Sequence, residues 1–201
     1  MNPHPNPLPD YRARGKARLH SANSTRAAHD EYDRPMSLAL AITDRDLVYR
    51  RIDPIADGAI AFANYRETCI ASFGDDDRCM EESKYLRWLS CRVEEFPEGN
   101  VFAMLSGNVV GQLELQIPYG ADRGYVNLFH VARAWRRLGF GRRLHDFALR
   151  YFRSWDAQWI DLHVSPTNRT ATSFYRSLGY RIANIEDGKN PMWHMERPVS
   201  H

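Results

Sequence analysis

Hydrophobic residues along this chain recur with two alternating periods, two and about 3.6, which is the signature of mixed strands and helices. Asp46–Asp53 reads as a first strand, closed by Pro54. Phe62, Tyr65, Cys69 and Phe73 then follow at helical spacing, as do Leu86, Leu89, Val93 and Phe96 in a second helix. Between these helices lies the acidic loop GDDDRCMEES, and Pro97-Glu98-Gly99-Asn100 signals a turn after the second. The runs VFAMLS and VVGQLELQI, parted by Gly107-Asn108, predict an antiparallel hairpin. Pro118-Tyr119-Gly120 breaks its second arm, and another strand covers Val126–Val131.

After a glycine-containing turn, Leu144, Phe147, Ala148, Tyr151, Phe152 and Trp155 form one apolar stripe, so the helix carrying them must lie on a sheet. Trp159–Val164 is again a strand. Strand, helix and strand in that order predict a crossover between parallel neighbours. A further helix carries Ala171, Phe174, Tyr175 and Leu178, capped by Thr167 or Asn168 and stopped by Gly179. YRIANIE and PMWHMERP close the chain as strands. The expected class is α+β: a mixed, mostly antiparallel sheet of six to seven strands with helices on both faces. Residues 36–201 make the domain. Residues 1–35, poor in aliphatics and rich in Pro and Arg, are expected to be a disordered tail, or sequence ahead of a start at Met36.

Charge changes the picture only locally. The formal net charge is +2 in 201 residues, which gives no case for nucleic acid or a membrane surface as partner. Yet Arg133, Arg136, Arg137, Arg142 and Arg143 gather around Gly139 and Gly141, where a strand turns into a helix. A helix start offers unpaired N–H groups and partial positive charge, and glycine lets an anion approach the backbone. The stretch predicts a pyrophosphate cradle. No lysine follows the glycines as a Walker loop requires, and Leu144 stands where a dinucleotide fingerprint needs its third glycine. The three cysteines share no metal-ligand spacing and are expected to be reduced, mostly structural thiols of a cytoplasmic protein. No apolar run approaches the length of a membrane span, and residues 1–35 lack the apolar core of a secretory signal.

Val131-Ala132-Arg133-Ala134-Trp135-Arg136-Arg137-Leu138-Gly139-Phe140-Gly141 resembles the V-x-P-x-y-R-g-x-G-x-G segment of the GNAT superfamily of acyl-CoA N-acyltransferases. Asn168 through Tyr180 resembles that family's N-x-x-A-x-x-[FL]-Y-x-x-x-G-[FYW]. Two positions depart from the pattern, Arg133 for proline and Arg137 for a small residue; neither removes a backbone donor.

The resemblance implies acetyl-CoA as acyl donor, no metal, and direct attack by a primary amine in a ternary complex. The acceptor would be a small molecule or a peptide, and the protein a monomer or homodimer. It implies that Phe129, His130 and Val131 offer backbone groups to the pantetheine arm. Arg136, Arg137, Leu138, Gly139, Phe140, Gly141 and Arg142 would surround the pyrophosphate, and Asn168 would hold the pantetheine from the other side. The N–H of Val131 would face the oxyanion, and Tyr175 would protonate the leaving thiolate. His163 is the candidate base, with Glu114 and His130 as weaker ones; Glu114, in the hairpin arm, is expected to point outward into solvent. The loop Asp75-Asp76-Asp77 with Glu81 and Glu82 either attracts a cationic amine or is simply solvated. A non-catalytic acyl-CoA sensor is the alternative function.

Overall fold

The computed structural model describes residues 47–118, 122–188 and 191–199. The expectations for residues 1–35 and for Tyr119 and Gly120 lie outside these. Seven strands form one sheet in the order β1-β2-β3-β4-β5-β7-β6. They are β1 (Leu47–Arg51), β2 (Asn100–Leu105), β3 (Asn108–Gln116), β4 (Arg123–Val131), β5 (Trp159–Val164), β6 (Arg181–Glu186) and β7 (Met192–Pro198). Every neighbouring pair is antiparallel except β4 and β5. That pair is joined by the helix a parallel crossover needs, α3 (Phe140–Ser154). The remaining helices are α1 (Gly58–Phe73), α2 (Glu82–Glu95) and α4 (Arg169–Ser177).

The helices take opposite faces because alternate strand residues differ. Gln112, Glu114 and His130 meet α1 and α2, through Asn64, Tyr85 and Glu67 respectively. On the other face α3 presses so closely that a Cβ on Gly124 would lie 2.1 Å from Phe152, and one on Gly111 2.6 Å from Leu144. Glycine is therefore required there by packing. The α3 stripe is buried at Leu144, Ala148, Tyr151 and Phe152, with Phe140 and His145 beside it. Trp155 falls outside the expected stripe: the helix ends at Ser154, and Trp155 is half exposed against the edge of Phe96. The hairpin turn sits one residue earlier than the pattern suggested. Ser106 and Gly107 both take positive φ, as a tight two-residue turn demands, and Asn108 already belongs to β3.

Two expectations are corrected. Cys69 and Cys79 are joined as a disulfide across the end of α1, with Cα atoms 5.9 Å apart, rather than standing as separate thiols. Cys91 is free and exposed. Glu114 does not point into solvent but is fully buried. Its Oε1 accepts from the Tyr85 hydroxyl at 2.5 Å and from Gln112 Nε2 at 2.7 Å, and Gln112 accepts in turn from Asn64 at 2.9 Å. The alternation of LEL was correct, but the face carrying Glu114 is covered by α1 and α2.

Burial disfavours the carboxylate and pushes its pKa up to about 7, although both donors oppose the shift. An acid whose folded pKa exceeds its unfolded value near 4.5 binds its proton more tightly when folded. Its contribution is complete below pH 4.5 and is lost as pH rises through 7. Glu114→Gln, which keeps an acceptor for both donors, is expected to remove that loss and to stabilise the protein at pH 8 by roughly 1–3 kcal/mol. Urea melts at pH 5 and pH 8 check this: equal pH slopes in the two proteins would refute it.

Candidate active site

The site begins where two strands part. β4 and β5 pair from Arg123↔Trp159 only as far as Val126↔Leu162. Beyond that point β5 continues beside β7 to Val164, and β4 continues beside β3 to Val131. A bulge lies at the parting: Leu115 faces Val126 while Glu114 faces Leu128, leaving Asn127 over. Such a bulge bends the strand that carries it. The closed end is pinned by Arg123, whose guanidinium bonds Asp161 on β5 at 2.7 Å and also Glu196 on β7.

Antiparallel ladders alternate the direction of their backbone groups, and Ala132 N–H donating to Val110 at 3.0 Å fixes the phase here. His130 and Leu128 therefore exchange hydrogen bonds with β3, whereas Phe129 and Val131 turn their N–H and C=O groups toward the gap. Of the three residues expected to offer backbone groups, His130 is occupied by its partner Gln112. The carbonyl of Val131 accepts from Arg136 Nε at 2.8 Å. The N–H groups of Phe129 and Val131 and the carbonyl of Phe129 remain.

The glycine turn supplies more donors of the same kind. Arg137 has φ +65° and Gly139 φ +86°. The N–H groups of Arg137, Leu138, Gly139, Phe140 and Gly141 find no acceptor among the described residues, and the first engaged one is Arg142, bonded to Gly139 at 3.0 Å. Five successive amides thus stand unengaged where the turn enters the helix, a donor set suited to an anion. The side chains behave differently from expectation. Arg136 reaches back to Val131 and Glu67 instead of out to the cradle. Phe140 contributes only its backbone, because its ring is buried against the edge of Trp135. Arg137 and Arg142 are exposed beside the turn.

Asn168 caps α4, its Oδ1 accepting from Ala171 at 3.1 Å. The amide nitrogen of the same side chain has no partner among the described residues. Tyr175 is buried among Phe129, Phe174 and Tyr180, and burial raises its pKa. Its hydroxyl likewise lacks a partner among the described residues. His163 points away from Ile160 and Leu162, as the alternation predicted, and both its nitrogens are engaged. Nδ1 lies 2.8 Å from the Tyr125 hydroxyl and Nε2 2.9 Å from Glu186 Oε1. Its ring stacks on His194 at 5.0 Å, and His194 lies 3.4 Å from Asp161. Tyr125, Glu186 and His194 escaped the sequence reading, which had no register to place β4 and β7 beside His163.

His130 is clamped rather than poised: Nε2 is 3.0 Å from Glu67, which also holds Arg136 at 2.6 Å. In the acidic loop Asp76 is bonded to Arg66 and Glu81 to Lys84, which leaves Asp75, Asp77 and Glu82 exposed. Among the described residues no cluster of His, Cys, Asp or Glu could hold a metal.

The Acetyltransferase (GNAT) family model matches residues 62–180, more than half of the chain, and the chain belongs to that family. It is 26% identical over 114 residues to the N-alpha-acetyltransferase daf-31 of Caenorhabditis elegans, covering 54% of this chain and 63% of that protein. To the N-terminal acetyltransferase complex ARD1 subunit homolog of Dictyostelium discoideum it is 30% identical over 112 residues, covering 54% and 55%. The chain thus spans less than two thirds of either relative. Its fold is that of the crystal structure of Ard1 from Thermoplasma volcanium, with a TM-score of 0.62 at 23% identity over 78% of this chain and 99% of that one. The fold also matches yncA from Salmonella typhimurium, a structure titled with its cofactor acetyl-CoA, with a TM-score of 0.59 at 18% identity over 77% and 95%.

Stacked as they are, His163 and His194 titrate apart. Burial lowers the pKa of His163, while the bond to Asp161 raises that of His194. In an NMR titration His194 is expected to titrate above His163, and Asp161→Asn to lower His194 more than His163. Coincident titrations, or an unmoved His194 in the variant, would contradict the pairing.

Proposed function

We propose that this chain transfers an acetyl group from acetyl-CoA to the α-amino group of a peptide or small molecule, by direct attack within a ternary complex. The observation that carries the reading is the run of unengaged main-chain donors from Arg137 to Gly141, following in sequence the open edge of β4. The five loop amides hold the diphosphate, with Arg137 and Arg142 adding charge. The pantetheine arm lies along Phe129 and Val131, with the Asn168 amide nitrogen on its far side. Acetyl-CoA supplies an activated acyl carbon and a thiolate leaving group.

Two N–H groups face the gap, and the difference between them matters. That of Phe129 is two residues, about 7 Å, nearer the closed end than that of Val131. It is the better placed to meet negative charge on the thioester oxygen close to Tyr125 and His163. Tyr175 donates its proton to the departing sulfur, since a phenol of pKa near 10 in water is matched to a thiolate. The acceptor's proton passes to the Tyr125 oxygen as the Tyr125 hydroxyl hands its own to His163 Nδ1, and Glu186 stabilises the resulting imidazolium.

The character of this base selects the acceptor. Burial keeps His163 a weak base. An α-amine of pKa near 8 is neutral in roughly one molecule of ten at pH 7, a cost of about 1.4 kcal/mol. A lysine-like amine of pKa near 10.4 is neutral about once in 2,500, a cost of about 4.6 kcal/mol. The relay suffices for the first far better than for the second. The N-alpha-acetyltransferase relative accords with this choice.

Thiol release from acetyl-CoA, measured with a short peptide and with spermidine, tests the reading: the peptide is expected to turn over and spermidine not. Tyr175→Phe is expected to lower kcat roughly 100-fold with coenzyme A affinity unchanged. In His163→Gln the rate should climb with pH up to the amine's own pKa, where the wild type levels off earlier. Undiminished turnover by Tyr175→Phe, or a preference for spermidine, would reject the assignment.

A further inference from the structure

A cavity of about 630 Å³ lies at the other end of the sheet, between β1, the Pro97–Glu98 turn and α3. It is three strands, roughly 14 Å, from the β4–β5 gap. Its walls follow from two periodicities. Tyr49 and Arg51 alternate onto one face of β1, and Phe147, Arg150, Tyr151 and Ser154 fall at i, i+3, i+4 and i+7 on α3.

The charges in it are unbalanced. Arg50, on the opposite face of β1, makes a two-pronged bond to Asp57 at 2.8 and 2.9 Å. Arg51 and Arg150 have no such carboxylate among the described residues, although both border the cavity. Glu98 on the rim offsets one of them and leaves one positive charge over. The cavity also has an aromatic wall, Tyr49 stacked on Phe147 at 4.0 Å and 19°. Deeper in, the Tyr151 ring packs against Gly99, where an added Cβ would lie 2.8 Å from its hydroxyl, and that hydroxyl is buried out of reach of solvent. An aromatic wall, two guanidinium groups with no carboxylate partner among the described residues, and a volume suited to a small molecule make up the site.

We propose that this cavity binds a small aromatic carboxylate, its ring against Tyr49 and Phe147 and its carboxylate between Arg51 and Arg150. Guanidinium groups favour a carboxylate, with which they form charge-assisted bonds, over its neutral amide. The site is separate from the acyl-transfer cleft, and its occupancy does not require coenzyme A.

Phenylacetate and phenylacetamide serve as probes on the full chain, observed by protein NMR. Phenylacetate is expected to shift the signals of Tyr49, Phe147 and Tyr151, and phenylacetamide to bind at least about tenfold more weakly. Arg51→Gln and Arg150→Gln should each weaken phenylacetate about tenfold while coenzyme A binding, measured by calorimetry, stays unchanged. Three results would each overturn the proposal. They are equal binding of acid and amide, shifts confined to residues 137–141, and no shift at any concentration up to 10 mM, taken as roughly the weakest useful affinity. The coenzyme A arm shows that each variant is folded, so a lost phenylacetate signal reports on the cavity.

Discussion

A strand in the middle of a sheet has two edges to satisfy, and β4 satisfies only one over its last residues. Backbone N–H and C=O groups cannot be left unpaired in a protein interior without cost. Where β5 departs after Val126, the inner edge of β4 must meet solvent or a ligand. The bulge at Asn127 bends β4 at that point, and Arg123 holds the three strands together just behind it. The opening therefore follows from strand geometry, and the adjoining helix start extends the same surface of free donors by five amides.

A surface of main-chain donors does not depend on the side chains at the two positions where the chain departs from the family pattern. Arg133 and Arg137 each keep an N–H. Arg137 adopts a left-handed conformation, which disfavours a side chain by about 1 kcal/mol or more, and its guanidinium stands exposed next to the donors. Side chains then take the tasks that backbone cannot perform. His163 links the Tyr125 hydroxyl to Glu186 in a hydrogen-bonded chain, and Tyr175 packs against Phe129 from α4. Glu67 ties α1 to both His130 and Arg136, so that helix is fastened to β4 and to the start of the glycine turn.

Much of this was legible in the residues. Apolar periodicity placed the seven described strands and the four α-helices to within a few positions. The turn from Arg136 to Gly141 was legible for a different reason: positive φ, unpaired donors and positive charge all leave local traces in sequence. What escaped was tertiary. Tyr125 and His163 are 38 residues apart and meet only through the β4–β5 register. Glu114 looked solvated because its strand alternates like one with a wet face, yet two helices cover that face. Arg136 looked like a phosphate ligand because only charge was visible, not the pull of Glu67 from α1. Cys69 and Cys79 sit at a spacing that announces nothing, and the fold of the loop alone brings them together.

The most direct measurement is the amide spectrum of the labelled protein as coenzyme A is added. The account predicts an alternating pattern: the N–H signals of Phe129 and Val131 move together with those of Arg137 through Gly141, while Leu128 and His130, bonded to β3, stay nearly still. Uniform shifts along β4, or loop amides already slow to exchange in the free protein, would show that those donors are engaged elsewhere and would contradict it.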